Sequence, residues 1–131
     1  LYYIVAAIAL FIIPSCNKVS HNGALDGQWQ IMTIEEIDKG EITTPDKGEY
    51  ICINLHVLQL RRSGVISANM AYDKKAGIID AQFPYVASEN VSSQLGPFGI
   101  FSNPVRMNIV KLNHKELILK TDATLITCRK F

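Results

Sequence analysis

The side chains that could support catalysis or metal binding are scattered along this 131-residue sequence. Its three histidines, His21, His56 and His114, fall in a predicted tether, in mid-strand and in a turn, so no two of them have the close spacing that a metal site would use. No Gly-x-Ser-x-Gly motif marks a nucleophilic serine. The glycine-containing turn at 96–99 is a poor phosphate cradle, because Pro97 lacks the N–H donor that such a loop needs. We therefore predict no metal, no cofactor and no enzymatic reaction.

One row of polar residues on a predicted strand is the exception. Cys52, Asn54 and His56 alternate with apolar residues within 50–60, so they share one face of that strand. If the face points into a cavity, Asn54 and His56 supply the few polar groups that a ligand pocket usually has. The alternative is a face that meets solvent or lines a polar lumen without binding anything.

Aromatic residues are the other candidates for contact with a ligand. The loop 35–49, rich in charged residues, and the segment 84–104, rich in Pro, Gly, Ser and Asn, would shape the mouth of a binding site. Most aromatic side chains are expected in the core, because they dominate burial in small β domains. The aromatic residues that could line a cavity or its mouth are Tyr50, Tyr72, Phe83, Tyr85, Phe98 and Phe101.

An apolar run followed by a cysteine predicts export and lipid attachment. Residues 1–13 are uncharged; the run is shorter than the roughly 20 residues of a membrane-spanning helix and matches the apolar core of a signal peptide. The residues before Cys16, Ile13-Pro14-Ser15, resemble the site at which bacterial lipoproteins are cut and acylated, although Pro14 departs from the usual residue type. An ordinary signal peptide cut elsewhere, or a single-pass anchor, is the alternative.

These features divide the chain into a signal peptide over 1–15, a lipid-anchored tether over 16–24 and one folded domain over 25–131. All 13 basic and 12 acidic residues follow Cys16, and the net charge is +1. Such a balance argues against nucleic-acid binding, which needs clustered excess Lys and Arg.

The folded domain reads as a succession of short strands separated by turn residues. No stretch shows a sustained helical period of apolar residues, so we predict an all-β, antiparallel architecture of about eight strands joined mostly by hairpins. A change of phase within 50–60 predicts a β-bulge near Val57. The predicted strands begin near residues 28, 50, 65, 78, 105, 117 and 125, with one or two weaker ones, at 85–87 or 91–95 and near 100–101.

The first and last strands carry a resemblance to a known family. Gly27-Gln28-Trp29 near the start and Arg129 near the end resemble the lipocalin signature, and with the lipoprotein signal they resemble the lipocalin-like lipoproteins of Bacteroidetes-type bacteria. The resemblance implies an up-and-down barrel closed at one end by Trp29 beneath Arg129, a cation–π contact of about 1–2 kcal/mol. A β-sandwich or another small barrel is the alternative fold.

The cysteines provide a test of that barrel. If the first strand pairs with both the second and the last, Cys52 and Cys128 lie two strand spacings apart, about 9.5 Å. A disulfide needs Cα atoms within roughly 7 Å of each other. We therefore predict two free, buried thiols.

Two functions follow from these expectations. The first is a lipid-anchored envelope protein whose barrel binds a small apolar or amphipathic molecule. The second is a structural or protein-interaction module whose barrel is filled by side chains, because eight strands leave room for at most one small ligand. An enzyme on the same scaffold would need a convergent polar pair in the cavity. Surface-exported lipoproteins of the Bacteroidetes-type bacteria often carry acidic residues directly after the acylated cysteine. The resemblance therefore implies the periplasmic side of the outer membrane, because no acidic residue follows Cys16 directly.

Overall fold

A computed structural model describes residues 21–45 and 48–131. The predicted signal peptide, the lipidation site Cys16 and the first part of the predicted tether lie outside the described residues. No helix within 21–45 or 48–131 has the length and apolar character to cross a membrane.

Within the described residues, nine strands make one antiparallel sheet, and eight of them close into a barrel. The order is β2-β1-β3-β4-β5-β6-β7-β8-β9, and β1 pairs with β9 as well as with β3. The predicted all-β, up-and-down barrel of about eight strands is therefore confirmed. Short β2 pairs only with the end of β1. The strands are β1 Gly27–Glu36, β2 Glu41–Thr43, β3 Tyr50–Asn54, β4 Val57–Arg61, β5 Val65–Asp73, β6 Ile78–Gln82, β7 Val105–Leu112, β8 Glu116–Lys120 and β9 Thr124–Lys130.

The barrel has two different ends. One end, here called the Trp29 end, carries a 3-10 turn at Gly23–Leu25 and the β3–β4, β5–β6 and β7–β8 turns. The opposite end, here called the cap end, carries the β1–β2, β4–β5 and β8–β9 turns and the long connection between β6 and β7. Because every barrel strand runs antiparallel to its neighbours, alternate turns fall at the same end.

The phase change within 50–60 is a hairpin, and the predicted bulge is wrong. β3 ends at Asn54, β4 begins at Val57, and Leu55 takes a left-handed φ of 55° in the two-residue turn between them. Ile53 pairs with Leu58, so both side chains point inward across the turn. Inward residues on one strand are two apart in sequence. Across this two-residue hairpin turn the successive inward residues Ile53 and Leu58 are five apart, which changes the phase of the pattern.

The one or two weak strands predicted between 85 and 101 are also absent. Residues 83–104, here called the cap segment, are all described, and none of them is in a strand. They form 3-10 turns at Ser88–Asn90 and Gly96–Phe98 around one short helix, α1, at Val91–Gln94. The spacing of Val91, Leu95 and Phe98 is i, i+4, i+7, a helical period, and all three are buried.

The cap segment packs its apolar side chains over the cap end of the barrel. Gly99 takes a left-handed φ of 83°, and its carbonyl accepts a hydrogen bond from Thr124 Oγ1 at 2.6 Å. Asn103 holds the start of the segment by a pair of hydrogen bonds with the backbone of Phe83, each 2.9 Å long. The segment is thus part of the hydrophobic core.

Candidate functional site

The Trp29 end is closed by the turn that precedes β1. Trp29 is fully buried, and its Nε1 donates a 2.9 Å hydrogen bond to the carbonyl of buried Leu25. Lys130 Nζ lies 4.5 Å from the centre of the Trp29 ring and donates to the carbonyl of Asp26. A cation over an indole face is attracted by the ring quadrupole. This end therefore has a structural role.

The predicted contact between Trp29 and Arg129 is wrong, because the cation over the ring belongs to Lys130. Arg129 is exposed, and its Nε donates to Gln30 Oε1 at 3.0 Å. Successive residues of a strand point to opposite faces. Since Ile126 and Cys128 point inward along β9, the inward position beside Trp29 falls to Lys130.

The last residues of the predicted tether belong to the folded domain. Asn22 is buried, and its Nδ2 donates to Asp26 Oδ1 at 2.7 Å and to the carbonyl of Leu55 at 2.9 Å. The His21 ring meets the His56 ring edge to face, with centroids 5.0 Å apart. The folded domain thus includes His21 and Asn22, and both lie beside the β3–β4 turn.

The polar row predicted on β3 faces away from the interior. Ile51 and Ile53 fill the inward positions, so Cys52 and Asn54 point outward. His56 lies in the turn rather than on the strand. Asn54 and His56 are exposed and cannot supply polar groups to the interior of the barrel.

The aromatic candidates do not converge on one site. Phe83 and Phe98 are buried in the core, whereas Phe101 is exposed and Tyr85 is 92% exposed. Tyr72 lies on β5 and packs against the edge of the core, where burial raises the pKa of its hydroxyl. The structure therefore does not assemble the predicted set of Asn54, His56, Tyr72, Phe83, Tyr85, Phe98 and Phe101 into a pocket.

The interior of the barrel is filled. Inward side chains from every barrel strand and from the cap segment form one hydrophobic cluster. A side chain with no accessible surface has no water-sized space beside it, and such side chains occur throughout the cluster. They include Trp29, Ile51, Leu58, Leu60, Ile79, Leu95, Ile100, Met107, Leu117, Leu119 and Ile126.

Open grooves lie outside this core, and two of them involve residues considered above. One, of about 630 Å3, crosses the outer wall of β1, β3 and β4 and is lined by Gln28, Cys52, Asn54, Gln59 and Arg61 among others. The other, of about 380 Å3, separates the β4–β5 turn from the cap segment. Both volumes fall in the usual range for ligand sites, but both grooves are open to solvent.

The buried carboxylate of Glu49 was missed by sequence reasoning. Glu49 ends the charge-rich loop 35–49, yet it is only 5% exposed. Its Oε1 lies 3.0 Å from Arg62 Nε, and its Oε2 is buried without a hydrogen-bond partner among the described residues. Its neighbours in sequence are glycine and tyrosine, so no periodic pattern of apolar residues predicts its burial.

Titratable groups do not gather into a metal site in the part of the chain that the structure describes. There, no three His, Cys, Asp or Glu residues lie close enough to hold an ion. The two described cysteines are free and are separated by β1, since Cys52 lies opposite Gln28 and Cys128 opposite Ile31. Cys128 is buried inside the barrel, and Cys52 is half-buried on its outer wall.

We expect the two thiols to differ sharply in reactivity. Burial raises the pKa of Cys128 to about 12, whereas at Cys52 burial raises the pKa and nearby Arg61 opposes the rise. Since the thiolate is the reactive species, a thiol reagent at pH 8 should modify Cys52 and spare Cys128 in the native protein. Mass spectrometry counts the adducts; modification of both sites without denaturant would contradict this assignment.

The same burial predicts loss of stability at alkaline pH. The ordinary pKa of the thiol is 9.0, so above it the unfolded chain loses the Cys128 proton while the folded chain keeps it. The free energy of unfolding should therefore stay level below pH 9 with respect to this group and fall between about pH 9 and 12. Urea unfolding of a Cys128→Ala variant should show a shallower alkaline decline.

Comparison with known proteins identifies the family of the chain and supports the barrel fold. Residues 9–131 match the family model of a lipocalin-like domain. A lipocalin-like protein from Bacteroides uniformis has 18% sequence identity and a TM-score of 0.63, with 83% of this chain and all of that chain covered. An uncharacterized protein from Bacteroides eggerthii has 14% identity and a TM-score of 0.61, covering 81% of this chain and 98% of that one. No curated protein matches the sequence significantly.

Proposed function

We propose that this chain, which belongs to the lipocalin-like domain family, is a lipid-anchored protein of the bacterial cell envelope with a filled barrel. In this proposal the barrel binds partners through its outer wall and loops. The filled interior carries the proposal, because no water-sized space adjoins core side chains such as Leu60, Met107 and Leu119.

Anchoring is supported by the sequence around Cys16. An uncharged apolar run precedes Ile13-Pro14-Ser15-Cys16, as expected for a peptide that is cut before an acylated cysteine. We further propose the outer membrane, facing the periplasm, as the location. Eight residues separate Cys16 from Leu25, and none of them is acidic.

The outer wall offers the chemistry for a partner. The groove over β1, β3 and β4 combines amide groups, the guanidinium of Arg61 and exposed Val57. Arg61 Nη2 already donates to Gln59 Oε1 at 2.8 Å, so the two side chains present a joined polar surface. We propose no reaction at this groove, because the residues that line it include no nucleophile beside a general base.

A small amphipathic ligand is the second candidate, favoured by one observation. The cap end is plugged by Phe83, Leu95, Phe98 and Ile100, which all come from a connection between strands. A neighbouring groove of about 380 Å3 reaches Phe98. Displacement of the cap segment would therefore open the interior from this end.

Methyl NMR distinguishes the two candidates. Met107 is fully buried inside the barrel and Met70 nearly so, and their methyl signals report on the interior. During titration with fatty acids and lysophospholipids we expect both signals to stay unchanged, because no space is available to a ligand. Saturable shifts of Met107 and Met70 would overturn the filled-barrel proposal in favour of the second candidate.

The anchor is tested separately by intact mass. Protein extracted from its own host's membranes should begin at Cys16 and carry the added mass of acyl chains. A mature chain without lipid on Cys16 would refute the anchoring and leave the interpretation of the barrel unaffected.

A further inference from the structure

The surface of the Trp29 end has a composition unlike that of the cap end. It consists of residues 21–27, the turns at 54–57, 73–77 and 112–116, and Lys130. The chain joins the fold here, because buried Asn22 is bonded to the carbonyl of Leu55 and His21 packs against His56. An anchor attached to the segment before residue 21 would therefore lie closest to this surface.

The length of that segment limits how the barrel can sit. Five residue steps separate Cys16 from His21, and a fully extended chain spans at most about 18 Å over them. β1 has ten residues, which at a typical barrel tilt gives a height of about 25 Å. A lipid on Cys16 thus keeps the Trp29 end near the bilayer, and the cap end cannot be turned toward it.

Four lysines and three acids lie on this surface, so its formal charge is +1. Lys74, Lys75, Lys115 and Lys130 lie there, and within the part of the chain that the structure describes none of them is in a salt bridge. The acid Asp26 is engaged by Asn22. Asp73 accepts from the backbone N–H of Ala76, and Glu116 is paired with Lys111 at 3.1 Å.

The cap end is acidic by comparison. Its basic residues in the described part of the chain are Lys39, Arg61, Arg62 and Lys120, and Arg62 is paired with Glu49. Its acidic residues outnumber them: Glu35, Glu36, Asp38, Glu41, Glu49, Glu89 and Asp122. The barrel is therefore polarised along its axis, with its basic end where the chain leaves the fold.

An exposed leucine stands at the tip of the basic end. Leu55 is 52% exposed, and it adopts a left-handed backbone conformation that Gly or Asn would occupy at lower cost. Val57, one residue beyond the turn, is also exposed. An apolar tip flanked by lysines suits an interface between water, phosphate groups and acyl chains.

We propose that the Trp29 end docks directly on an anionic phospholipid bilayer. Lys74, Lys75 and Lys115 contact lipid phosphates, while Lys130 keeps its contacts with Trp29 and Asp26. Leu55, at one edge of the groove over β1, β3 and β4, enters the interfacial region. The part of that groove at Gln59 and Arg61 and the whole cap end stay free for a partner. The orientation rests on the proposed anchor at Cys16; the complementary surface is a property of the folded barrel itself.

Fluorescence quenching tests the orientation. The mature chain carrying Cys52→Ser is coupled through Cys16 to a maleimide lipid in vesicles of phosphatidylglycerol and brominated phosphatidylcholine, so that attachment does not depend on cellular acylation. Leu55→Trp should be quenched strongly. Val65 is exposed at the cap end, so a tryptophan in the Val65→Trp variant should not be quenched. The fluorescence of buried Trp29, which all variants share, is subtracted as background.

Charge removal tests the contact independently of the anchor. With Cys16→Ser in the mature chain, the Lys74→Gln/Lys75→Gln pair should weaken binding to phosphatidylglycerol vesicles about 25-fold, roughly fivefold for each lysine. The matched pair Lys39→Gln/Lys120→Gln removes the same charge at the cap end and should change affinity by less than about twofold. Added salt should weaken the binding of the Cys16→Ser chain that keeps all its lysines to the same vesicles, because salt screens the attraction between charges.

The outcomes separate this proposal from the anchor. Equal quenching at positions 55 and 65, absence of quenching at 55, or equal losses for both lysine pairs would overturn the docking. If mass spectrometry finds no acyl group on Cys16 in cells while Leu55→Trp is still quenched in the coupled chain, the anchor fails and the docking surface stands. If the Lys74→Gln/Lys75→Gln pair weakened binding to neutral phosphatidylcholine vesicles as much as to phosphatidylglycerol vesicles, the role of the anionic lipid would be contradicted.

Discussion

Replacing Trp29 with alanine should lower the free energy of unfolding by about 3–5 kcal/mol, the usual cost of removing a large buried aromatic side chain. Trp29 is fully buried, and the turn residue Leu25 packs with it in the same core cluster. The substitution also leaves the Leu25 carbonyl without the indole donor and Lys130 without its ring. Urea unfolding monitored by circular dichroism measures the change.

Variants at the neighbouring positions separate the parts of this effect. Trp29→Phe keeps most of the buried area and loses the N–H donor, so its cost should be clearly smaller. Lys130→Met should remove the cation at a cost of about 0.5–2 kcal/mol, whereas Arg129→Met, on the outer face, should cost less. A larger loss for Arg129→Met than for Lys130→Met would contradict the observed pairing.

Replacing Gly99 with alanine should destabilise the protein by about 2–5 kcal/mol, through two separate causes. Its φ of 83° is left-handed, which costs roughly 1–2 kcal/mol in a residue with a Cβ. The added Cβ would lie 3.0 Å from Ile34 Cγ2 and 3.1 Å from Ile126 Cγ1, both in the packed cap end, and such overpacking costs typically about 1–3 kcal/mol.

Gly40 is the matched control for this substitution. It also has a left-handed φ, of 65°, but a Cβ there would meet nothing within 4 Å. Gly40→Ala should therefore show the backbone cost alone. Equal effects at the two positions, compared by urea unfolding, would mean that the cap segment does not press against Ile34 and Ile126.

The sequence was sufficient to predict the barrel because alternation on most strands is strong. Closure of the first strand on the last was also predictable, since Gly27-Gln28-Trp29 and the final strand carried the family resemblance. The same alternation already placed Lys130 and Arg129 on opposite faces of β9. The error arose from taking the cation from the family signature when the phase of Ile126 and Cys128 pointed to Lys130.

Features that depend on packing between distant segments were less accessible. The cap segment carries a helical period of only three residues, Val91, Leu95 and Phe98, which is too short to stand out among prolines and glycines. The turn at Leu55 was obscured because a leucine rarely occupies a left-handed hairpin position. Burial of Glu49 depends on the approach of Arg62, which no local pattern encodes.

The candidate site was least predictable because cavity volume depends on how all inward side chains fit together. Sequence patterns identified inward aliphatics but not whether they would leave space. The polar row at Cys52 and Asn54 was located on the correct strand, and its outward direction follows from Ile51 and Ile53 facing the core.

The pairing of β1 with β9 also constrains the kinetics of folding. Its partners include Gln30 and Arg129, which are 99 residues apart in the chain. Most other strand pairs are local hairpins and can form as soon as their turns exist. The closing seam must wait for the C-terminal strand, and until then β1 and β8 present open edges that can pair with other chains. Slow barrel closure, and aggregation from the unclosed state, are thus intrinsic to this topology.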